Sequence, residues 1–189
     1  MGMAEEKDMG VAGWLQTAAI GRKPERTLVR LSILIGFAIV AYIIFSFFLL
    51  PIRVTGPSMF PTYKNGQINF INRLAYRNSE PKRGDVVGVR FSDSDLMLLK
   101  RIVGMPGESV HFSHGKFMVN GKPLLEPYLT YPSKDWYSEE RQLGPQEYYV
   151  VGDNRSMPYN FHEKGGAERR RIMGRILFAG HPHSDGGEE

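Results

Sequence analysis

The sequence predicts a mostly β domain behind one N-terminal transmembrane helix. Three observations predict it. Residues 31–52 read LSILIGFAIVAYIIFSFFLLPI, 22 residues between Arg30 and Arg53 with no Asp, Glu, Lys, Arg or His. From residue 66 onward, short apolar runs alternate with turn signals. Most glycines and prolines fall between those runs, as punctuation.

Composition narrows the function classes. The chain has 189 residues, 24 Lys and Arg against 20 Asp and Glu, and a formal net charge of +4. That length allows one core, or one core with a small annex. Aromatics at 12% and charged residues at 23% exclude a disordered polymer and a multi-span transporter. The absence of cysteine excludes a disulfide framework, a thiol nucleophile, an iron–sulfur cluster and a Cys-based zinc site. The mean hydropathy of −0.30 averages one very apolar segment with a polar remainder.

Taken in order, residues 1–30 form a basic leader. Arg22, Lys23, Arg26 and Arg30 precede the span, with only Glu25 opposing them nearby, so this segment is expected in the cytoplasm. Residues 31–52 as a helix cover roughly 33 Å, about one hydrocarbon core. A buried core helix would be shorter and show a polar face. A cleaved signal would have an apolar run of only ~7–15 residues and a small-residue cleavage site. The span is therefore expected to be a permanent single-pass anchor, with residues 53–178 on the far side and a polar tail at 179–189. Strands are expected at 67–73, 85–91, 96–103, 116–119, 123–125, 148–151 and 172–178. Asn120-Gly121 marks a hairpin. Residues 126–146 and 156–169 lack strong periodicity and read as loops.

The chemistry starts just past the span, at Gly56-Pro57-Ser58-Met59-Phe60-Pro61-Thr62, with Ser58 six residues beyond Ile52. Ser58 sits in a stiff irregular loop and reads either as a turn serine or as a nucleophile in need of a base. Pro57, Met59 and Phe60 read either as core packing or as an apolar surface dipping into lipid. None of the five histidines sits beside triad-like features. The His181-x-His183 pair has no obvious third metal ligand, and no metal or cofactor is expected. Lys100 lies on a predicted strand, pointing the same way as Leu98 and Ile102. It reads either as a snorkelling or ion-paired lysine, with Asp85 or Asp95 as partner, or as a desolvated general base.

Five boxes in order sharpen this. They are Gly56-x-Ser58-Met59-x-Pro61-Thr62; Arg83-Gly84-Asp85-Val86-Val87; Lys100 to Glu108 (KRIVGMPGE); Val119-Asn120-Gly121-Lys122 with Glu126-Pro127-Tyr128; and Val151-Gly152-Asp153-Asn154-Arg155. Behind an N-terminal span, this set resembles the bacterial type I signal peptidases, membrane-anchored Ser–Lys proteases of the S26 family. The resemblance runs from about residue 31 to 178. It implies a β catalytic core with a small β annex at roughly 108–145. It implies Ser58 as nucleophile and Lys100 as general base. The Ser58 backbone N–H would be the oxyanion donor, Met59 would help form the substrate pocket, and Gly56 would stand where some members carry a second, hydroxyl donor. It implies an Arg101–Asp153 salt bridge, and a wall of the site built by Asp153, Asn154 and Arg155. The implied partners are secretory precursors with Ala-x-Ala-like cleavage sites and the lipid bilayer, at the bacterial cytoplasmic membrane with the catalytic domain outside.

The chain departs from the family pattern after Arg155. Ungapped, Pro158 replaces a serine that hydrogen-bonds the catalytic lysine, and Asn160 and His162 replace an Asp–Arg pair that braces the site. Ser156 is the candidate replacement hydroxyl. Two other functions stay open at this level: a related Ser–Lys processing protease with a dedicated substrate, and a non-catalytic membrane-anchored β scaffold. The basic run Arg169-Arg170-Arg171 reads as a solvated face. Nothing resembles a nucleic-acid module, so no nucleic acid is expected.

Overall fold

The computed structural model describes residues 24–91 and 97–178. Readings placed on residues 1–23, on Asp95 and on the tail, including His181 and His183, lie outside the described residues. The chain divides between Ile44 and Phe45 into two compact units.

The first unit is the helix α1 (Pro24–Ile43), followed by a π turn at Ile44–Phe48. Pro24 fits the first helical position, where its missing N–H costs nothing, and Glu25 complements the positive end of the helix dipole. From Glu25 to Ile43 every side chain is exposed except half-buried Ala41. Apolar exposure on all faces is what a lipid-embedded helix shows. The helical stretch Glu25–Phe48 has 24 residues, about 36 Å of rise. Among the described residues it is the one helix long and apolar enough to cross a membrane. The helical stretch begins before the segment expected to span, 31–52, and ends before it does. Leu49 to Ile52 leave the helix, because Pro51 lacks the N–H for a helical bond and its ring clashes with the carbonyl one turn back.

Those residues instead lie in the second unit, as its first strand β1 (Leu49–Arg53). The strands that follow are β2 (Ile68–Asn72), β3 (Val86–Val89), β4 (Leu98–Gly104), β5 (Ser109–Ser113), β6 (Lys116–Val119), β7 (Lys122–Pro123), β8 (Arg141–Gln142), β9 (Glu147–Val151), β10 (Gly165–Glu168) and β11 (Ile172–Ile176). Seven form a large sheet in the order β1-β2-β11-β3-β4-β9-β10, and four form a small sheet in the order β7-β6-β5-β8. The pairings are antiparallel. The small sheet lies between residues 109 and 142. Two tight turns build it. His114-Gly115 (φ 49° and 76°) joins β5 to β6, and Asn120-Gly121 (φ 48° and 76°) joins β6 to β7. Positive φ at both central residues matches the right-handed strand twist.

Three apolar clusters hold this unit. One joins the two sheets through Val103, Tyr149 and Val151 on one side and Val110, Phe112, Phe117, Trp136 and Leu143 on the other. Phe112 is its hub, edge-on to Phe117 at 4.9 Å and to Trp136 at 5.0 Å. A second gathers Val87, Val89, Ile102, Tyr148, Val150 and Ile172. The third holds Val54, Met59, Tyr63, Ile71, Val86 and Ile176. The basic run at 169–171 forms a short 3-10 turn on the surface. Arg169 pairs with Glu80 at 3.0 Å, and Arg170 pairs with Glu168.

Candidate active site

The loop after β1 carries Ser58. It is closed at its base by Val54 N–H donating to Gln67 O and Gly66 N–H donating to Val54 O, both at 2.8 Å. Inside it, Phe60 N–H donates to Pro57 O at 3.0 Å and Tyr63 N–H to Met59 O at 2.9 Å. Gly56 has φ +86°, a conformation that an L side chain adopts only with strain. Its N–H donates to Asn65 Oδ1 at 3.1 Å. Met59 is 1% exposed and packs in the core, while Pro57 is exposed and Phe60 stacks on Tyr131 at 5.8 Å. Ser58 is half-buried and lines a cleft of about 260 Å³ with Val54, Met59, Gly88, Met97, Leu98 and Leu99. Gly88 leaves room there, since a Cβ in its place would stand 2.8 Å from Met97 Sδ.

Lys100 is on β4, in the middle of the large sheet, opposite Val87. It is 2% exposed. Burial pushes its ammonium down to about 8, and the charge of Lys164 adds to this while Glu163 opposes it. Asp85, one of its two suggested ion-pair partners, is engaged elsewhere. It accepts from Tyr76 Oη at 2.8 Å and from Lys82 N–H at 3.0 Å, and lies 3.7 Å from Arg175. Neither Lys100 Nζ nor Ser58 Oγ has a hydrogen-bond partner among the described residues. The residues just before Lys100, Leu98 and Leu99, share the cleft with Ser58.

Arg101, one residue on, points the other way. Its Nε and Nη2 grip Asp153 at 2.8 and 2.6 Å, and Nη1 donates to Gly84 O at 2.8 Å. The fork geometry is the strong form of this pair. Thr62 Oγ1 donates to the same carboxylate at 2.7 Å, which ties the Ser58 loop to the turn after β9. Asn154 makes the second tie: its N–H donates to Ser58 O at 3.0 Å and its Nδ2 to Pro57 O at 3.1 Å. Arg155 is fully buried, donates to Gly152 O at 2.8 Å, and pairs with Glu126 at 2.6 Å. Tyr128 caps Glu126 through its hydroxyl at 2.6 Å and stacks under the Arg101 guanidinium at 4.0 Å. Ser156 is exposed and its hydroxyl donates to Asn154 Oδ1 at 2.6 Å, not to Lys100.

Gly152 is a glycine for reasons of space. A Cβ on it would stand 2.6 Å from His162 Cε1 and closer still to the Ser58 carbonyl oxygen. Since one obstacle is backbone, Gly152→Ala forces the Ser58 loop outward. We expect a loss of about 1–3 kcal/mol of stability, measured by thermal unfolding.

Thr62, Glu126 and Tyr128 stand in the sequence boxes, but their partners exist only in the fold. His162 carries no local sequence feature of a base. The structure places that ring in the site, 3% exposed. The spacing of His162 carried no signal, because only the chain's return through a 3-10 turn at Tyr159–Phe161 brings it inward.

A family model described as signal peptidase, peptidase S26, matches residues 26–179. Signal peptidase I T of Bacillus subtilis is 32% identical over 163 residues, covering 81% of each chain. Signal peptidase I of Bacillus amyloliquefaciens is 32% identical over 168 residues, covering 82% of this chain and 84% of the relative. Signal peptidase IB of Staphylococcus aureus is 30% identical over 172 residues, covering 82% and 89%.

Proposed function

The chain belongs to the signal peptidase S26 family, and we propose that it removes signal peptides from exported precursors through a Ser58 acyl-enzyme with Lys100 as general base. The observation that supports the dyad is a buried lysine with no ion pair among the described residues, on the strand whose Leu98 and Leu99 line a cleft with Ser58. At pH 8 about half of a lysine shifted to about 8 is neutral, against roughly 0.3% of a free one. A scaffold gains nothing from such a buried amine.

In the first half-reaction the neutral Lys100 amine takes the Ser58 Oγ proton as Oγ attacks the scissile carbonyl. The oxyanion is held by the Ser58 N–H. Lys100 then returns the proton to the leaving amine. In the second half-reaction Lys100 takes a proton from the water that attacks the ester, then returns it to Ser58 Oγ as that oxygen leaves, which restores both groups. The Arg101–Asp153–Thr62 and Asn154 ties hold the nucleophile loop during both steps.

The small cleft lined by Gly88, Met97, Leu98 and Leu99 suits small apolar side chains, which supports Ala-x-Ala-like sites. The apolar helix supports a single-pass anchor, and the basic residues before it support a cytoplasmic N-terminus with the β domain outside. Anchoring to the same bilayer as the precursor raises the local concentration of one near the other.

The test is the pH dependence of kcat/KM for a precursor with an Ala-x-Ala site, using the full chain in detergent. A base works when neutral, so the rate should rise with pH and level off above a midpoint near 8. Lys164 is also pushed down to about 8 by burial, so it needs a control. Lys164→Gln should keep the limb and move it to higher pH, because the Lys164 charge lowers Lys100. A pH-independent rate, or a limb that vanishes in Lys164→Gln, would exclude Lys100 as the base.

A further inference from the structure

Among the described residues, His162 is the one side chain with two buried polar atoms that lack a well-formed hydrogen bond. It is 3% exposed, and neither ring nitrogen makes a well-formed hydrogen bond among the described residues, although the Glu163 backbone bears on the ring as a hydrogen-bond partner. The ring is firmly held. Its edge packs against Trp136 at 5.1 Å, its backbone N–H donates to Tyr159 O at 3.3 Å, and its carbonyl accepts from Lys164 Nζ at 3.1 Å. The neighbours Phe161 and Glu163 are exposed, so His162 alone of the three turns inward.

The direction in which the ring faces is informative. Cε1 approaches Gly152 at the same spot as the Ser58 carbonyl oxygen. Cε1 is bonded to both ring nitrogens, so both flank the contact between the nucleophile's backbone and the turn after β9. A phenyl ring would serve the Trp136 contact without desolvating two polar atoms. Burial, and then the charges of Lys100, Arg155 and Lys164, push the ring's pKa down to about 4. At working pH the ring is thus neutral, and either tautomer leaves one lone pair free to accept.

Lys100 needs an acceptor of that kind. A neutral amine has one lone pair and two N–H groups, and the lone pair reaches Ser58 Oγ only if an N–H is held elsewhere. The hydroxyl positions do not supply it: Pro158 has none, and Ser156 donates to Asn154 on the exposed side. Glu163 is exposed and makes no hydrogen bond to Lys100.

We propose that His162 is the positioning residue for Lys100, accepting one amine N–H directly or through one water so that the lone pair faces Ser58. This rests on the Ser58–Lys100 reading above.

The experiment measures kcat, KM and the pH profile of precursor cleavage by the full chain in detergent, for His162→Phe and His162→Gln, with Ser58→Ala alongside. The charged groups around the pair (Arg155, Glu163 and Lys164) are unchanged in these variants. Phe keeps the Trp136 contact and removes the acceptor. We expect kcat to fall roughly 10–100-fold with KM within about twofold. We expect the acid limb to move to lower pH, because the lost acceptor favours the protonated amine more than the neutral one. Gln restores an acceptor and should recover most of kcat and the original limb. Should the Phe variant not fold, His162→Met takes its place in the comparison. An unchanged kcat and limb in the apolar variant overturns the proposal. So does a lowered kcat with an unmoved limb that Gln does not rescue, which marks a packing role only. If Ser58→Ala still cleaves, the dyad itself falls, and this proposal with it. A dead Ser58→Ala beside an unaffected His162→Phe overturns only the role of His162.

Discussion

Ser58→Ala and Lys100→Ala each lower kcat/KM for precursor cleavage by at least about 10⁴-fold, and the double variant is no slower than the slower single one. Nucleophile and base act as a unit, so removing either leaves nothing for the other to do. Lys100→Arg is equally dead, because a guanidinium stays charged at any usable pH and cannot accept a proton. Lys100→Met separates catalysis from stability. It fills a similar space without a charge, so turnover is lost while the fold gains. The sign follows from linkage. The folded-state pKa of about 8 lies below the unfolded value of 10.5, so burying the charge costs stability in full below pH 8. The cost fades as pH rises from 8 toward 10.5. Lys100→Met is therefore more stable than wild type by up to about 3 kcal/mol at pH 7, and by progressively less above pH 8. Denaturant unfolding at pH 7 and pH 10 measures both ends. A less stable, inactive Lys100→Met would mean that the lysine is structural.

Asp153→Ala unfolds more easily by about 3–5 kcal/mol, a fall in Tm of more than ~10 °C. Asp153 is fully buried and the Arg101 side chain is 11% exposed. Removing the carboxylate leaves a guanidinium inside the domain with only Gly84 O and the Tyr128 face as company. It also leaves the Thr62 hydroxyl without its acceptor, which frees the Ser58 loop at one of its two ties. Stability and kcat should thus fall together. Arg101→Met in the Asp153→Ala background removes the stranded charge and should recover part of the stability. Turnover should stay low, because the Thr62 tie is still missing. Recovery of turnover together with stability would show that the pair acts only on folding.

The strands that are legible in the sequence share one property. β2, β3, β4, β6, β9 and β11 are rich in Val, Ile, Tyr and Phe and lie between turn residues, so side-chain pattern alone marks them. β8 is Arg-Gln and β10 is Gly-Gly-Ala-Glu. Neither carries a strand signature, and both are strands because β5 and β9 offer them backbone partners. Leu-Leu-Pro-Ile of β1 is as apolar as the helix before it, so composition alone assigns it to the span. Pro51 is tolerated there because β1 is the edge of the large sheet.

The site divides in the same way. Residue identity and order determined the apolar anchor, the missing thiol chemistry, Ser58 in its stiff loop, and Lys100 on an apolar strand face. These are properties of short stretches, where local geometry and composition are decisive. The tertiary structure decided the rest. It sends Asp85 to Tyr76 and Arg175, spends the Ser156 hydroxyl on Asn154, joins Thr62 to Asp153 across 91 residues of chain, and turns His162 inward onto Gly152. A side chain's partners depend on which distant segments pack beside it, and whether a charge is desolvated depends on how completely they do so; neither quantity exists before the sheets close around the site.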